Sequence, residues 1–102
     1  MIRRDVVLSP EATADLLSLY EWITEQASSE AALGYIARLE TYVRGFDLAS
    51  ERGTRHDYIR PGLRTVGFER RVTIAFTATS DQVIILGFFY GGRDWRQTLS
   101  EH

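Results

Sequence analysis

Apolar residues recur along this chain at two different periods, and the change of period divides it into a helical part and a sheet. Ala12, Leu16, Leu19, Tyr20 and Ile23 step by three and four, which lays one apolar stripe along a helix ending at about Gln26. Ser9-Pro10-Glu11 starts that helix, with serine as N-cap, proline at the first helical position and an acid in the first turn. Asp15, Glu21 and Glu25 fall off the stripe; Leu17 and Trp22 also lie off it and either widen the buried face or mark a contact surface. After a break at Ala27-Ser28-Ser29, a second stripe of Ala32, Ile36, Leu39, Val43 and Phe46 predicts a helix to about Leu48. Two amphipathic helices joined by so short a link pack as an antiparallel hairpin.

Beyond the turn signal Pro61-Gly62 the period falls to two. Leu63 to Phe68, Val72 to Ala78 and Val83 to Tyr90 read as three strands joined by gaps short enough for antiparallel hairpins. Arg3 to Leu8 supplies one more strand, and Asp94 caps a short tail helix from Trp95 to Leu99. The expected class is α+β in a single domain over residues 1–102: an N-terminal strand, a two-helix hairpin, a three-stranded antiparallel meander and a short C-terminal helix. In the middle strand Val72, Ile74 and Phe76 share one face. The last strand is apolar on both sides, with Val83, Ile85 and Phe89 against Ile84, Leu86, Phe88 and Tyr90. One helical hairpin covers only one face of a small sheet, so the other face is expected to lack an internal cover and to mark a partner site. The alternative is a cover formed by the C-terminal tail or by a second copy.

Composition adds bounds rather than direction. The 102 residues are 44% apolar and 25% charged, as in an ordinary globular domain. Without cysteine there is no disulfide and no thiolate metal site. The longest apolar run is far short of the ~20 residues that a membrane helix requires, and no signal peptide is visible, so a cytoplasmic protein with no membrane partner is expected. Charge is more informative. Residues 1–51 hold four arginines against nine acids, giving −5, and residues 52–102 hold eight against five, giving +3. The basic half is the sheet, and this asymmetry favours an acidic partner for it. All twelve basic residues are arginine, which keeps its proton at physiological pH and cannot act there as a general base.

The polar stretch from Ala49 to Arg60 reads as a surface connection. His56 and Asp57 within it suggest catalysis or metal binding, but a lone histidine in a charged loop reads as solvated. No metal site and no cofactor are expected.

Three motifs carry a family resemblance: Ser9-Pro10-Glu11-Ala12, Ile59-Arg60-Pro61-Gly62-Leu63-Arg64 and Tyr90-Gly91-Gly92-Arg93-Asp94-Trp95. In this order and spacing, from about Val6 to Leu99, they resemble the ParE branch of the RelE/ParE toxin superfamily. The resemblance implies the toxin of a type II toxin–antitoxin pair, held inactive in a hetero-oligomer, a heterotetramer or larger, by a ParD-like antitoxin. The antitoxin's C-terminal segment would lie across the sheet. The implied binding candidates for antitoxin or target are Arg60, Arg64, Arg70, Arg71, Phe88, Tyr90, Arg93, Asp94 and Trp95. ParE-like members poison DNA gyrase by binding, without catalytic residues of their own and without direct sequence-specific nucleic-acid binding by the toxin. RelE-like members instead cleave mRNA on the ribosome. That reaction needs a base, an acid and cations; Arg64, Arg70 and Arg71 could supply the cations, and Glu69 or Tyr90 the titratable group. This chain departs from the pattern at Glu69-Arg70, where many relatives have glycine, which predicts a longer or bulged hairpin. Its Val72-Thr73-Ile74-Ala75-Phe76 strand is also less aromatic than usual. The binding-type toxin is the first reading and the mRNA interferase the alternative.

Overall fold

The computed structural model describes residues 4–47 and 52–100. Strand β1 (Asp5–Leu8) leads into helices α1 (Pro10–Gln26) and α2 (Ser29–Arg44). Strands β2 (Thr54–Arg55), β3 (Arg64–Phe68), β4 (Val72–Ala78) and β5 (Gln82–Phe89) follow, and helix α3 (Trp95–Ser100) is the last described element. The sheet order is β1-β5-β4-β3-β2, antiparallel except where β1 lies parallel to β5.

Both helix starts are capped as their sequences require. Ser9 Oγ accepts from the Ala12 N–H at 3.1 Å, and Ser28 Oγ accepts from the Ala31 N–H at 3.0 Å. The second helix stops at Arg44 and continues as one 3-10 turn, Gly45–Asp47; the expected end at Leu48 lies outside the described residues. Ala12, Leu19 and Ile23 of α1 and Ala32, Tyr35, Leu39 and Val43 of α2 are buried against one face of the sheet, meeting Val72, Ile74, Phe76, Val83 and Ile85. Phe46, at the end of the hairpin, stacks on Phe76 at 4.8 Å.

Two features of the sheet differ from the simple alternation of the sequence. The first is a bulge in β5. Phe76 pairs with Ile85 but Ala75 pairs with Gly87, so Leu86 is an extra residue and the alternation resets. Phe88 and Tyr90 therefore join Val83 and Ile85 under the helices, while Leu86 and Phe89 turn to the opposite face. This corrects the expected grouping of Phe89 with Val83 and of Phe88 with Leu86. Gly87 is needed at the bulge because a Cβ there would meet the Phe89 ring at 2.9 Å and Asp15 Oδ2 at 3.1 Å.

The second is the β3–β4 hairpin, in which three residues separate Phe68 from its partner Val72. Glu69 (φ 48°) and Arg70 (φ 60°) both occupy the left-handed region, closed by the Arg71 N–H donating to the Phe68 carbonyl at 3.2 Å. Arg38 on α2 holds Glu69 in place with two bonds, Nε to Oε2 at 2.9 Å and Nη2 to Oε1 at 3.0 Å. Arg70 makes no such contact with α2. Replacing it with glycine should relieve the left-handed strain and raise stability by about 1 kcal/mol, read from the urea midpoint. A loss of stability would show that the Arg70 side chain has a role the backbone geometry does not account for.

The face of the sheet away from α1 and α2 is not bare. Gly91 (φ 61°) and Gly92 (φ 84°) form a tight corner, closed by the Arg93 N–H donating to the Tyr90 carbonyl at 3.1 Å. The corner returns the chain across the sheet as α3. Leu99 there packs on Leu63, Ala75 and Phe89, with Ile59, Leu86 and Trp95 partly buried around them. The expectation of a face without internal cover is therefore corrected: a six-residue helix seals its centre, while Val7, Ile84 and Leu86 stay half-exposed beside it.

Candidate functional site

The connection between α2 and β3 is more ordered than a solvated loop. The His56 N–H donates to the Leu63 carbonyl at 2.8 Å, and the Asp57 carboxylate accepts from the Gly62 N–H at 2.8 Å and pairs with Arg55 at 2.8 Å. That backbone donor, aided by Arg55 and Arg64, holds the Asp57 carboxyl below the usual carboxylate range. His56 itself is buried, 7% exposed, with Nε2 2.8 Å from Thr65 Oγ1 and its ring 4.6 Å from Trp95. The reading of His56 as solvated is corrected. Its ring packs against Trp95 at the start of α3.

Arg60, at the end of this loop, donates from Nη2 to the Leu99 carbonyl at 3.3 Å. It thereby ties the loop to the last turn of α3. Between them and the start of α1 lies a cleft of about 580 Å³. Its floor is Leu86, Phe89 and Leu99; Arg60 and Arg93 stand on its walls with Ser9, Glu11, Asp15 and Asp94. Asp94 is committed to the cap of α3, its Oδ1 accepting from the Arg96 N–H at 3.0 Å and the Gln97 N–H at 3.4 Å. The expected cap is present.

Arg93 links the cleft to the helix-side core. Its guanidinium lies 4.6 Å over the Tyr90 ring, which packs on Trp22 at 5.3 Å. It also approaches Asp15, Nη1 to Oδ1 at 3.8 Å, while Asp15 Oδ2 accepts from the Phe88 N–H at 3.0 Å. Burial pushes the Asp15 carboxyl above its ordinary value, outweighing the Phe88 N–H and Arg93, which pull it down. An acid raised in the folded state binds its proton more tightly there than in the unfolded chain. Its contribution to stability is therefore greatest at low pH and declines as pH rises through the folded value. The Tm of Asp15→Asn relative to the parent should accordingly increase between about pH 3 and pH 7. A difference that shrinks over this range would contradict the assignment.

The sequence-derived candidates separate into three groups. Arg60, Arg93 and Asp94 line the cleft, and Trp95 lies half-buried at the root of α3 with Arg96 4.5 Å over its ring. Arg70 and Arg71 sit exposed at the β3–β4 turn, and Arg64 opens β3 opposite Phe76; none of the three lines the cleft. Phe88 and Tyr90, at 2% and 6% exposure, are core residues of the helix side. The floor residues Leu86, Phe89 and Leu99, and Asp15 on the wall, are additions that the sequence reading did not single out. The signal for Leu99 was its place one helical turn beyond Trp95.

The two titratable groups suggested for RNA cleavage are not brought to the cleft. Glu69 is bound to Arg38 at the hairpin turn, and Tyr90 is enclosed between Trp22 and Arg93. No three histidines, cysteines or acids among the described residues are grouped to hold a metal ion. No helix among them is long and apolar enough to cross a membrane.

Comparison with known proteins follows the same lines. A family model described as ParE toxin of type II toxin–antitoxin system, parDE, matches residues 6–95. A solved structure described as a chromosomal ParDE TA system from P. aeruginosa contains a chain similar to this one. The two superpose with a TM-score of 0.76 at 21% identity, over 88% of this chain and 98% of the other. No curated protein matches the sequence.

Proposed function

This chain belongs to the ParE toxin family of type II toxin–antitoxin systems, and from that premise we propose that it acts in the cytoplasm as a binding toxin, inhibiting DNA gyrase until a ParD-like antitoxin neutralises it. One observation carries the antitoxin half of this reading: an apolar floor of Leu86, Phe89 and Leu99 lies between two arginines. A segment of acidic and apolar residues fits such a cleft. Its apolar side chains extend the cluster around Leu99, and its carboxylates meet Arg60 and Arg93. Glu11 and Asp15 on the α1 wall repel acids there and favour an approach from the Arg60 side.

The binding mode of toxicity is supported by what the arginines face. Cleavage of RNA through its 2′-hydroxyl needs a proton acceptor and donor beside cations at the scissile phosphate. The Asp15 carboxylate in the cleft already accepts from the Phe88 N–H and faces Arg93, so it is engaged in the fold. The test is supercoiling by purified gyrase, with and without the antitoxin, alongside translation with mapping of mRNA cleavage. Inhibition of supercoiling, reversed by the antitoxin, is the expected result. mRNA cleavage would replace this reading with the interferase.

A further inference from the structure

The helical hairpin has an outer surface that the fold does not use. Leu17 on α1 is 63% exposed and Leu33 on α2 is 60% exposed, although leucine is a core residue elsewhere in both helices. Helical spacing gives each leucine acidic neighbours on its own stripe. On α1, Leu17, Glu21 and Glu25 follow at intervals of four; on α2, Glu30 precedes Leu33 by three and Glu40 follows it by seven. All four glutamates are exposed. On α2, Arg38 is paired with Glu69 at the β3–β4 turn, and Arg44, four residues beyond Glu40, offsets one of these acids. The antiparallel arrangement sets the two stripes side by side, so the outer face of the hairpin presents two apolar anchors within an acidic field.

We infer that the outer face of the α1–α2 hairpin docks a basic protein surface carrying apolar contacts, and that this partner is the toxin's target and not its antitoxin. Charge complementarity selects the occupant. An acidic antitoxin segment suits the arginine cleft and is repelled by Glu21, Glu25, Glu30 and Glu40. The two partners therefore use different surfaces, the antitoxin the Arg60 side of the cleft and the target the outer face of the hairpin. The inference rests on the toxin reading but not on the identity of the target.

Two variants test it in the full-length chain: Leu17→Ser with Leu33→Ser, and Glu21→Lys with Glu40→Lys. All four positions are exposed, and unchanged thermal unfolding confirms the fold. The readouts are growth arrest on expression without antitoxin, inhibition of gyrase supercoiling, and affinity for the cognate antitoxin. Both variants are expected to lose about tenfold or more in growth arrest while binding antitoxin within about twofold of the parent. Potency of the parent in vitro should also fall as salt is raised. Undiminished growth arrest by both variants overturns the inference, and so does a loss of antitoxin affinity in either. If the parent arrests growth without touching gyrase, the gyrase proposal fails while the hairpin is still decided by the growth readout. A parent that arrests neither removes the target and the inference together.

Discussion

Reversing both arginines of the cleft, Arg60→Glu with Arg93→Glu, should weaken capture of the antitoxin by about 100-fold, a change of roughly 2.8 kcal/mol. Each replacement turns an attraction for an incoming carboxylate into a repulsion beside an apolar floor, where water screens it less than at an open surface. Arg60 also donates to the Leu99 carbonyl, so part of the loss could come from loosening α3. Arg60→Gln with Arg93→Gln separates the two causes, because glutamine keeps a donor while removing the charge. This pair should lose about tenfold, with thermal unfolding close to the parent. Calorimetric titration with the antitoxin measures both. Arg70→Glu with Arg71→Glu is the comparison, since those side chains lie at the hairpin turn outside the cleft. If that pair loses more affinity than the cleft pair, the antitoxin binds along the β3–β4 turn and the cleft is not its site.

The largest stability effect is expected on the other side of the sheet. Phe76→Ala should cost about 3–5 kcal/mol, read from urea denaturation. Phe76 is fully buried at 0% exposure, on β4 with a strand on each side of it, and its ring stacks on Phe46. Its neighbours are held by both helices and by β5, so the site cannot collapse onto the vacated volume. A domain of this size is stable by about 5–15 kcal/mol, and the variant should therefore be near its unfolding threshold. Phe89→Ala, on the opposite face, should cost less. Phe89 lies under a six-residue helix attached by a glycine corner, which can settle toward the gap. Equal losses at the two positions would show that α3 is as rigid a cover as the hairpin.

The helices and the helix side of the sheet were legible in the sequence because local rules determine them. The stripes from Ala12 to Ile23 and from Ala32 to Phe46, the caps at Ser9 and Asp94, and the alternation of Val72, Ile74 and Phe76 depend only on near neighbours. What escaped was set by contacts between distant segments. Nothing in Val83 to Tyr90 announces a bulge at Leu86; it becomes favourable because the Ser9 hydroxyl donates to the Leu86 carbonyl and Asp15 accepts from the Phe88 N–H. His56 reads as solvated until Trp95, from the far end of the chain, packs against its ring. The two-residue β2 was invisible for the same reason, since its pairing with Arg64 and Thr65 is what makes it a strand. The cleft inherits these gaps. Its arginines stand in recognisable motifs, while its floor depends on the bulge that turns Leu86 and Phe89 outward.

The parallel pairing of β1 with β5 bears on when this protein becomes dangerous to the cell that makes it. Asp5 to Leu8 joins the sheet through Gln82 to Ile85, so a strand made before the helices must wait for one made after them. A chain cut short before β5 has no sheet for its N-terminus and no corner from which to build α3. Truncated or stalled products should therefore be harmless and quickly degraded, and toxicity should arise only once β5 and α3 have been made.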